Sequence, residues 1–449
     1  MTQINPRELV VEILLKIEKE DMFANEVIGN VLKMNQFIPK QTRAFINKVA
    51  EGTIEHQIQL DYIINQFSKT KINKCKPLIR VLLRMSVYQM MFLDRVPHSA
   101  ICDEAVKIAR KKGFHNLTGF VNGVLRNISR NKDKISYPKE EDGKVLAWSI
   151  CYSMPEWIVE KFITDFGEEN AKKILEASVK ERDTCIRVNT SKLSKEECIK
   201  KLEKEEVLVK TGFYAKDALR IEEYDYLSGL TSFQEGDFNV QDESSQLLGE
   251  IADIKKDFLV MDVCSAPGGK TLHAANELKG SGLVIARDLT EKKTELILEN
   301  VERMGYQNVK VEVFDALHFD ESMKEKADLV IADLPCSGLG ILGRKKDIKY
   351  SITKEQLLEL ADMQRRMLEV ISGYVKKGGT LIFSTCTINP DENMGNYRYI
   401  SEHLSFKAVD ISGQLPESLK CETAKEGYIQ LLQGIHHCDG FFISKFQKI

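Results

Sequence analysis

Residues 258–271 read FLVMDVCSAPGGKT: an apolar run meets an acid at Asp262, passes through small residues and two glycines, and leads into TLHAANELKG. A short apolar run bounded by turn residues reads as a buried strand. A glycine-rich turn opening a helix lets backbone N–H groups approach a negatively charged ligand group closely. The stretch therefore reads as the strand, loop and helix that open an α/β sheet. GGKT invites comparison with a phosphate-binding P-loop, but that motif needs glycine where Cys264 stands, and G-x-G-x-x-G cannot be drawn either. Triphosphatase and generic dinucleotide readings both fall away.

Outward from this stretch, FLVMDV, LVIARD, VKVEVF, ADLVIADLP and GGTLIFSTC alternate with helical segments such as EKKTELILENVERMG and EQLLELADMQRRMLEVISGYVKK. That rhythm makes an open, mostly parallel, doubly wound sheet, with ligands outside the carboxyl ends of its strands. SFKAVDI and GFFISKFQK are expected to form an antiparallel hairpin at one edge. Asp288 ends the second strand, where an acid can bind ribose hydroxyls, and Asp315 and Asp333 follow the third and fourth. Singly, each acid is as well explained as a helix cap or turn residue. Four acids, Asp262 included, around one glycine loop are harder to explain as four caps. The order of loop, ribose acid, adenine-side acid and catalytic strand resembles a class I S-adenosylmethionine (SAM) methyltransferase.

The fourth strand continues as DLPCSGLG and the fifth as STCTINPDEN, with a helix expected to restart at Asp391. Cys336 and Cys386 thus lie just past the ends of strands expected to be neighbours. A lone cysteine is usually a small hydrophobe, but two facing one crevice are hard to explain as packing. The chemistry of cytosine C5 needs a thiol. That carbon is a weak nucleophile until a thiolate adds at C6 and makes C5 enamine-like, able to take a methyl group. The adduct must then lose the C5 proton and expel the thiol, and a second thiol is one way to assist.

DVCSAPGGKT, ADLPCSGLG and STCTINPDEN together resemble the Nop2/Sun group of RNA 5-methylcytosine methyltransferases. The resemblance implies Cys386 as nucleophile and Cys336 as the thiol that aids product release. It implies a SAM loop at Cys264, Ser265, Ala266, Pro267, Gly268, Gly269 and Lys270, with Asp288, Asp315 and Asp333 as further contacts, Asp333 also touching the base. Three positions depart from the family pattern. Leu334 stands where Ala usually precedes the thiol motif, Lys346 replaces a common Pro, and Arg287 precedes the ribose acid, on the opposite strand face from Asp288 by alternation. Arg344, Lys345 and Lys346 are equally readable as phosphate contacts or as solvated charge.

The front of the chain is of another kind. In PRELVVEILLKIEKE, Leu9, Val10, Ile13, Leu14 and Ile17 share one helical stripe, with Pro6 suited to the first turn. RAFINKVAEGTIEHQIQLDYII, RVLLRMSVYQMMFLDRVPHSAICDEAVKIARKKG and GFVNGVLRNI resemble the NusB family of helical RNA-binding domains. A polar, charged stretch over 127–144 reads as a linker. TCIRVNTSKLSKEECIKKLEKEEVLVK reads as strand, capped helix and strand, and Asp242 or Ser244 is suited to cap a later helix. The expected domains are a NusB-like domain at 1–132, a small α/β (RRM-like) module at 145–236, and a SAM methyltransferase domain at 237–449.

Residues 1–135 hold 22 Lys and Arg against 13 Asp and Glu in a chain of net charge −3, so the basic front is the better anion binder. Ten cysteines without a C-x-x-C argue for reduced thiols rather than disulfides or structural zinc. His436-His437-Cys438-Asp439 is the nearest thing to a metal cluster, but adjacent side chains on a strand point to opposite faces. No metal is expected. Neither a leader nor a membrane span is read in the sequence, so a cytoplasmic monomer is expected. The full-length resemblance implies methylation of cytosine C5 in 16S ribosomal RNA through a Cys386–C6 adduct. The alternatives are the same chemistry on another RNA such as transfer RNA, and a non-enzymatic RNA-binding factor.

Overall fold

The computed structural model describes residues 5–20 and 23–449. It divides into two units: residues 1–180 with 342–351, and residues 181–341 with 352–449.

The first unit is helical. Its first helix begins at Pro6 and buries Val10, Ile13 and Leu14. The helix Pro77–Phe92 is apolar nearly all round, as expected of a helix enclosed by others, and buries Leu78, Leu82, Met85 and Val87 among many. Built into this unit is the segment 342–351. Asp347 accepts the Ala24 N–H at 2.6 Å, Lys346 Nζ lies 2.9 Å from a Glu55 carboxylate oxygen, and Lys349 Nζ donates to the Glu55 carbonyl at 2.9 Å. The Tyr350 hydroxyl bridges the Glu55 carbonyl and Ser153. Lys346 is therefore neither solvated nor held out toward phosphate: it neutralises a buried carboxylate.

The second unit holds two sheets. The smaller has strands β1 (Thr184–Val188), β2 (Leu208–Thr211), β3 (Ala218–Glu222) and β4 (Phe238–Val240) in the antiparallel order β2-β3-β1-β4. Ser194 and Glu197 form a reciprocal capping box on the intervening helix. Asp242 accepts the Ser244 N–H and caps the helix Glu243–Ala252, which leads to the larger sheet.

That sheet comprises β5 (Leu259–Asp262), β6 (Leu283–Asp288), β7 (Val309–Val313), β8 (Ala327–Asp333), β9 (Val375–Thr385), β10 (Phe406–Ala408), β11 (Tyr428–Leu431) and β12 (Phe441–Lys448). Its order is β10-β12-β9-β8-β5-β6-β7, with β11 also on β12. The strands from β5 to β9 pair in parallel, and β12 runs antiparallel to β9. Alternation sorts each strand between two cores: Val260, Val284, Leu329 and Ile382 pack on one face, and Met261, Ile285, Val330 and Phe383 on the other. This is the doubly wound class. β10 and β12 pair as expected at that edge, but β11 intervenes, so they are not a simple hairpin. The helix expected to restart at Asp391 begins three residues later, at Met394, because Asn389, Glu392 and Asn393 are held in a side-chain network described below. The strand order reverses at β5, with β6 and β7 to one side and β8 and β9 to the other, and the crevice that such a sheet offers a ligand lies there, at the strands' carboxyl ends.

Candidate active site

The loop after β5 is fixed by its own polar groups. Ser265 donates its N–H and its hydroxyl to the Arg287 carbonyl, each at 2.9 Å, and the Gly268 N–H reaches the Ser265 carbonyl at 2.6 Å. Gly268 has φ +105°, open to glycine and costly for other residues, and precedes the helix Gly269–Leu278. Asp288 accepts the Ala266 N–H at 2.9 Å and the Leu289 N–H at 2.8 Å, with Lys293 at 3.0 Å. Thr271 donates to Asp262 at 2.7 Å, while the other Asp262 oxygen is buried without a partner.

Carboxylates crowd this crevice. Burial, then Asp288, Asp262 and Asp333, push the Cys264 thiol up. Burial, with Asp333 and Asp288 adding to it, pushes Asp262 up to about 7. So much negative potential beside a glycine loop suits a cationic ligand, and SAM carries a sulfonium and an ammonium. The unpartnered Asp262 oxygen and the acid at the end of β6 fit such a group. Arg287, on the other face of β6, does not intrude: it bonds Glu312 at 2.8 Å and Asp320 at 2.5 Å, and lies over the Phe314 ring. Asp315 follows β7, accepts the Leu317 N–H and faces His318 at 3.2 Å, both within its own turn.

Lys270 reaches from the loop to the end of β8. Its ammonium lies 2.6 Å from Asp333, whose other oxygen accepts from Ser384 at 2.7 Å. Burial works against that charge, but Asp333, with Asp262 and Cys386 in support, holds Lys270 above its ordinary value. Asp333 and Ser384 are register partners on the parallel pair β8 and β9. Cys336 and Cys386 follow, and their Sγ atoms are 3.2 Å apart. The bond to Cys386, then burial, then the charges of Cys386 and Glu392 push Cys336 well above an ordinary thiol. These influences favour the protonated thiol at Cys336.

Glu392 binds the two thiol loops together. It is wholly buried and accepts from Ser337 N–H at 2.9 Å, Ser337 Oγ at 2.5 Å, Asn389 Nδ2 at 3.0 Å and Gln364 Nε2 at 3.0 Å. Ser337 and Thr387, each next to a thiol, share a hydroxyl contact of 2.7 Å. Glu392 is not among the residues expected from the sequence, although an acid inside STCTINPDEN was the available signal. Close passage also matters: the Gly340 N–H donates to the Cys386 carbonyl at 3.1 Å, and a Cβ on Gly340 would fall 2.0 Å from the Gly440 oxygen.

A glycine loop, acidic strand ends and a doubly wound sheet with an antiparallel final strand define a SAM-dependent methyltransferase. The description "16S rRNA methyltransferase RsmB/F" matches residues 251–447, the NusB family matches 4–130, and the ferredoxin-like domain of RsmF/B-like methyltransferases matches 154–225. The chain is 35% identical over its whole length, and that of the relative, to the probable ribosomal RNA small subunit methyltransferase B of Bacillus subtilis. It is 29% identical to the Synechocystis protein of the same name, over 99% of this chain and all of that one. The chain belongs to the ribosomal RNA small subunit methyltransferase B family. Among solved structures, PH0851 superposes with TM-score 0.84 at 24% identity, covering 99% of each chain. NSun6 from Pyrococcus horikoshii, crystallised with SFG, gives 0.59 at 24% identity over 66% of this chain and 98% of its own. No helix among the described residues is long and apolar enough to cross a membrane.

Proposed function

We propose that this protein methylates C5 of a cytosine in 16S ribosomal RNA, with Cys386 bonding to C6 and Cys336 assisting release. The observation that carries the reading is the pair of thiols 3.2 Å apart, at the carboxyl ends of neighbouring parallel strands beside the cofactor crevice. SAM, held by residues 264–270 with Asp288 and Asp315, supplies an electrophilic methyl group. The chain's own residues do the rest. The Lys270 ammonium is the cation that offsets a thiolate at Cys386, and a cation beside a cysteine favours the nucleophilic form. Asp333, fixed by Lys270 and Ser384, orients the base. Addition of the Cys386 sulfur to C6 places the electron pair at C5. After methylation a base takes the C5 proton, the C–H electron pair restores the 5,6 double bond, the C6–S bond breaks with its electrons on sulfur, and the Cys336 thiol is in place to protonate the departing atom.

The test is a trapping assay with unmodified 16S ribosomal RNA and SAM. Cys336→Ala is expected to give a denaturant-resistant protein–RNA adduct, and Cys386→Ala and the double variant none. An adduct from Cys386→Ala, or wild-type turnover in that variant, would sink the assignment. Mapping the 5-methylcytosine missing from a deletion strain separates 16S from transfer RNA as the substrate.

A further inference from the structure

Away from the thiols, an aromatic cluster stands in solvent. The Phe213 and His437 rings stack at 4.2 Å with 16° between planes, and the Arg220 guanidinium carbon lies 4.1 Å from the Phe213 centroid. Phe213 is 45% exposed and His437 is exposed, whereas the next residues, Cys438 to Gly440, are buried. The backbone beneath is fixed. Glu243 accepts the N–H groups of Phe213, Tyr214 and Ala215, the Tyr214 hydroxyl accepts the His437 N–H at 2.9 Å, and Arg182 bonds the Cys438 carbonyl and Asp439.

The cluster is also tied to the catalytic strand. The Gly440 N–H donates to the Gly340 carbonyl at 2.8 Å, and Gly340 in turn donates to the Cys386 carbonyl. His437 precedes Gly440 by three residues, so their Cα atoms lie within about 11 Å of each other. Phe213 is held between His437 on one face and the Arg220 guanidinium over the other, so the exposed His437 ring, backed by Phe213 on rigid backbone, is a stacking surface, and unpaired bases are recognised by stacking on such surfaces.

We propose that Phe213 and His437 form a platform on which a base flanking the target cytosine stacks. This subsite rests on the reading that an RNA cytosine is the substrate. Arg220, bonded to Asp183 at 3.0 Å, lies over the Phe213 ring and holds it against His437. Because every base presents a π face, the platform positions the strand without reading its sequence.

The test uses the full-length enzyme. The Cys336→Ala adduct locates the cytosine in unmodified 16S transcript, and short RNAs around it are made with single abasic positions on either side. His437→Ala and Phe213→Ala are expected to weaken RNA binding about tenfold, in KM rather than kcat, and His437→Trp to restore it. At one abasic position the wild type loses the same factor and His437→Ala loses nothing further. Variants that bind within twofold of wild type, or a penalty equal on every abasic RNA, overturn the platform alone. A wild-type control that neither binds nor methylates the transcript overturns the underlying reading as well.

Discussion

Glu392→Gln tests how far catalysis depends on the scaffold behind the thiols. The carboxylate accepts four hydrogen bonds, two of them from Ser337, next to Cys336. A carboxamide keeps one acceptor oxygen and turns the other toward donors. Two charge-assisted bonds are lost, at about 1.5–3 kcal/mol each, so the thiol loop is weakened by roughly 3–6 kcal/mol. If only the lower figure reaches the reacting geometry, turnover falls about a hundredfold, at 1.36 kcal/mol per factor of ten. The assay is single-turnover methyl transfer to 16S transcript, with adduct on a denaturing gel and SAM affinity by calorimetry. The expected result is slow turnover, accumulated adduct as in Cys336→Ala, and SAM binding within twofold of wild type. Turnover within threefold of wild type with no adduct would refute a positioning role for Glu392.

Three further perturbations have defined outcomes. Asp262 is raised from 3.8 to about 7 on folding, so its ionisation opposes the folded state. The penalty is absent below about pH 4, grows as pH rises to 7 and is constant above, reaching on the order of 4 kcal/mol. Asp262→Asn should therefore protect the β5 peptide against hydrogen exchange, relative to wild type, more at pH 8 than at pH 5; an equal difference at both would refute this. Lys270→Met removes the cation from Asp333 and Cys386, and iodoacetamide should alkylate Cys386 at least tenfold more slowly in a Cys336→Ala background, read by mass spectrometry. Lys346→Ala leaves the Glu55 carboxylate short of its nearest cation. The helical unit should lose about 3–5 kcal/mol, followed through Trp148 and Trp157, the chain's two tryptophans.

What the sequence made legible was what depends on near neighbours in the chain. Strand and helix periods showed the doubly wound sheet, and alternation along LVIARD put Arg287 on the face away from Asp288. Cys336 and Cys386 were foreseeable as a pair because both follow apolar strands. What escaped depends on partners far along the chain. Lys346 was readable as solvated charge because Glu55 lies 291 residues earlier in the chain. The stacking of Phe213 on His437 joins a strand connection to a turn before the final strand, and no local pattern marks it. Glu392 was hidden because helix-start reasoning assigns such a polar run to capping, whereas its side chains are spent on the loop of the other thiol.

The segment 342–351 also sets an order of events at the ribosome. Synthesis delivers the N-terminus first, and domains generally fold as they emerge. The helical unit cannot do so completely, because the residues that neutralise Glu55 and receive the Ala24 N–H are made after β5 to β8. Its completion waits on the stretch that carries Cys336. A nascent chain that stalls before Leu342 therefore has an unfinished helical unit and also lacks β9 and Cys386, so truncated products leave both units incomplete together.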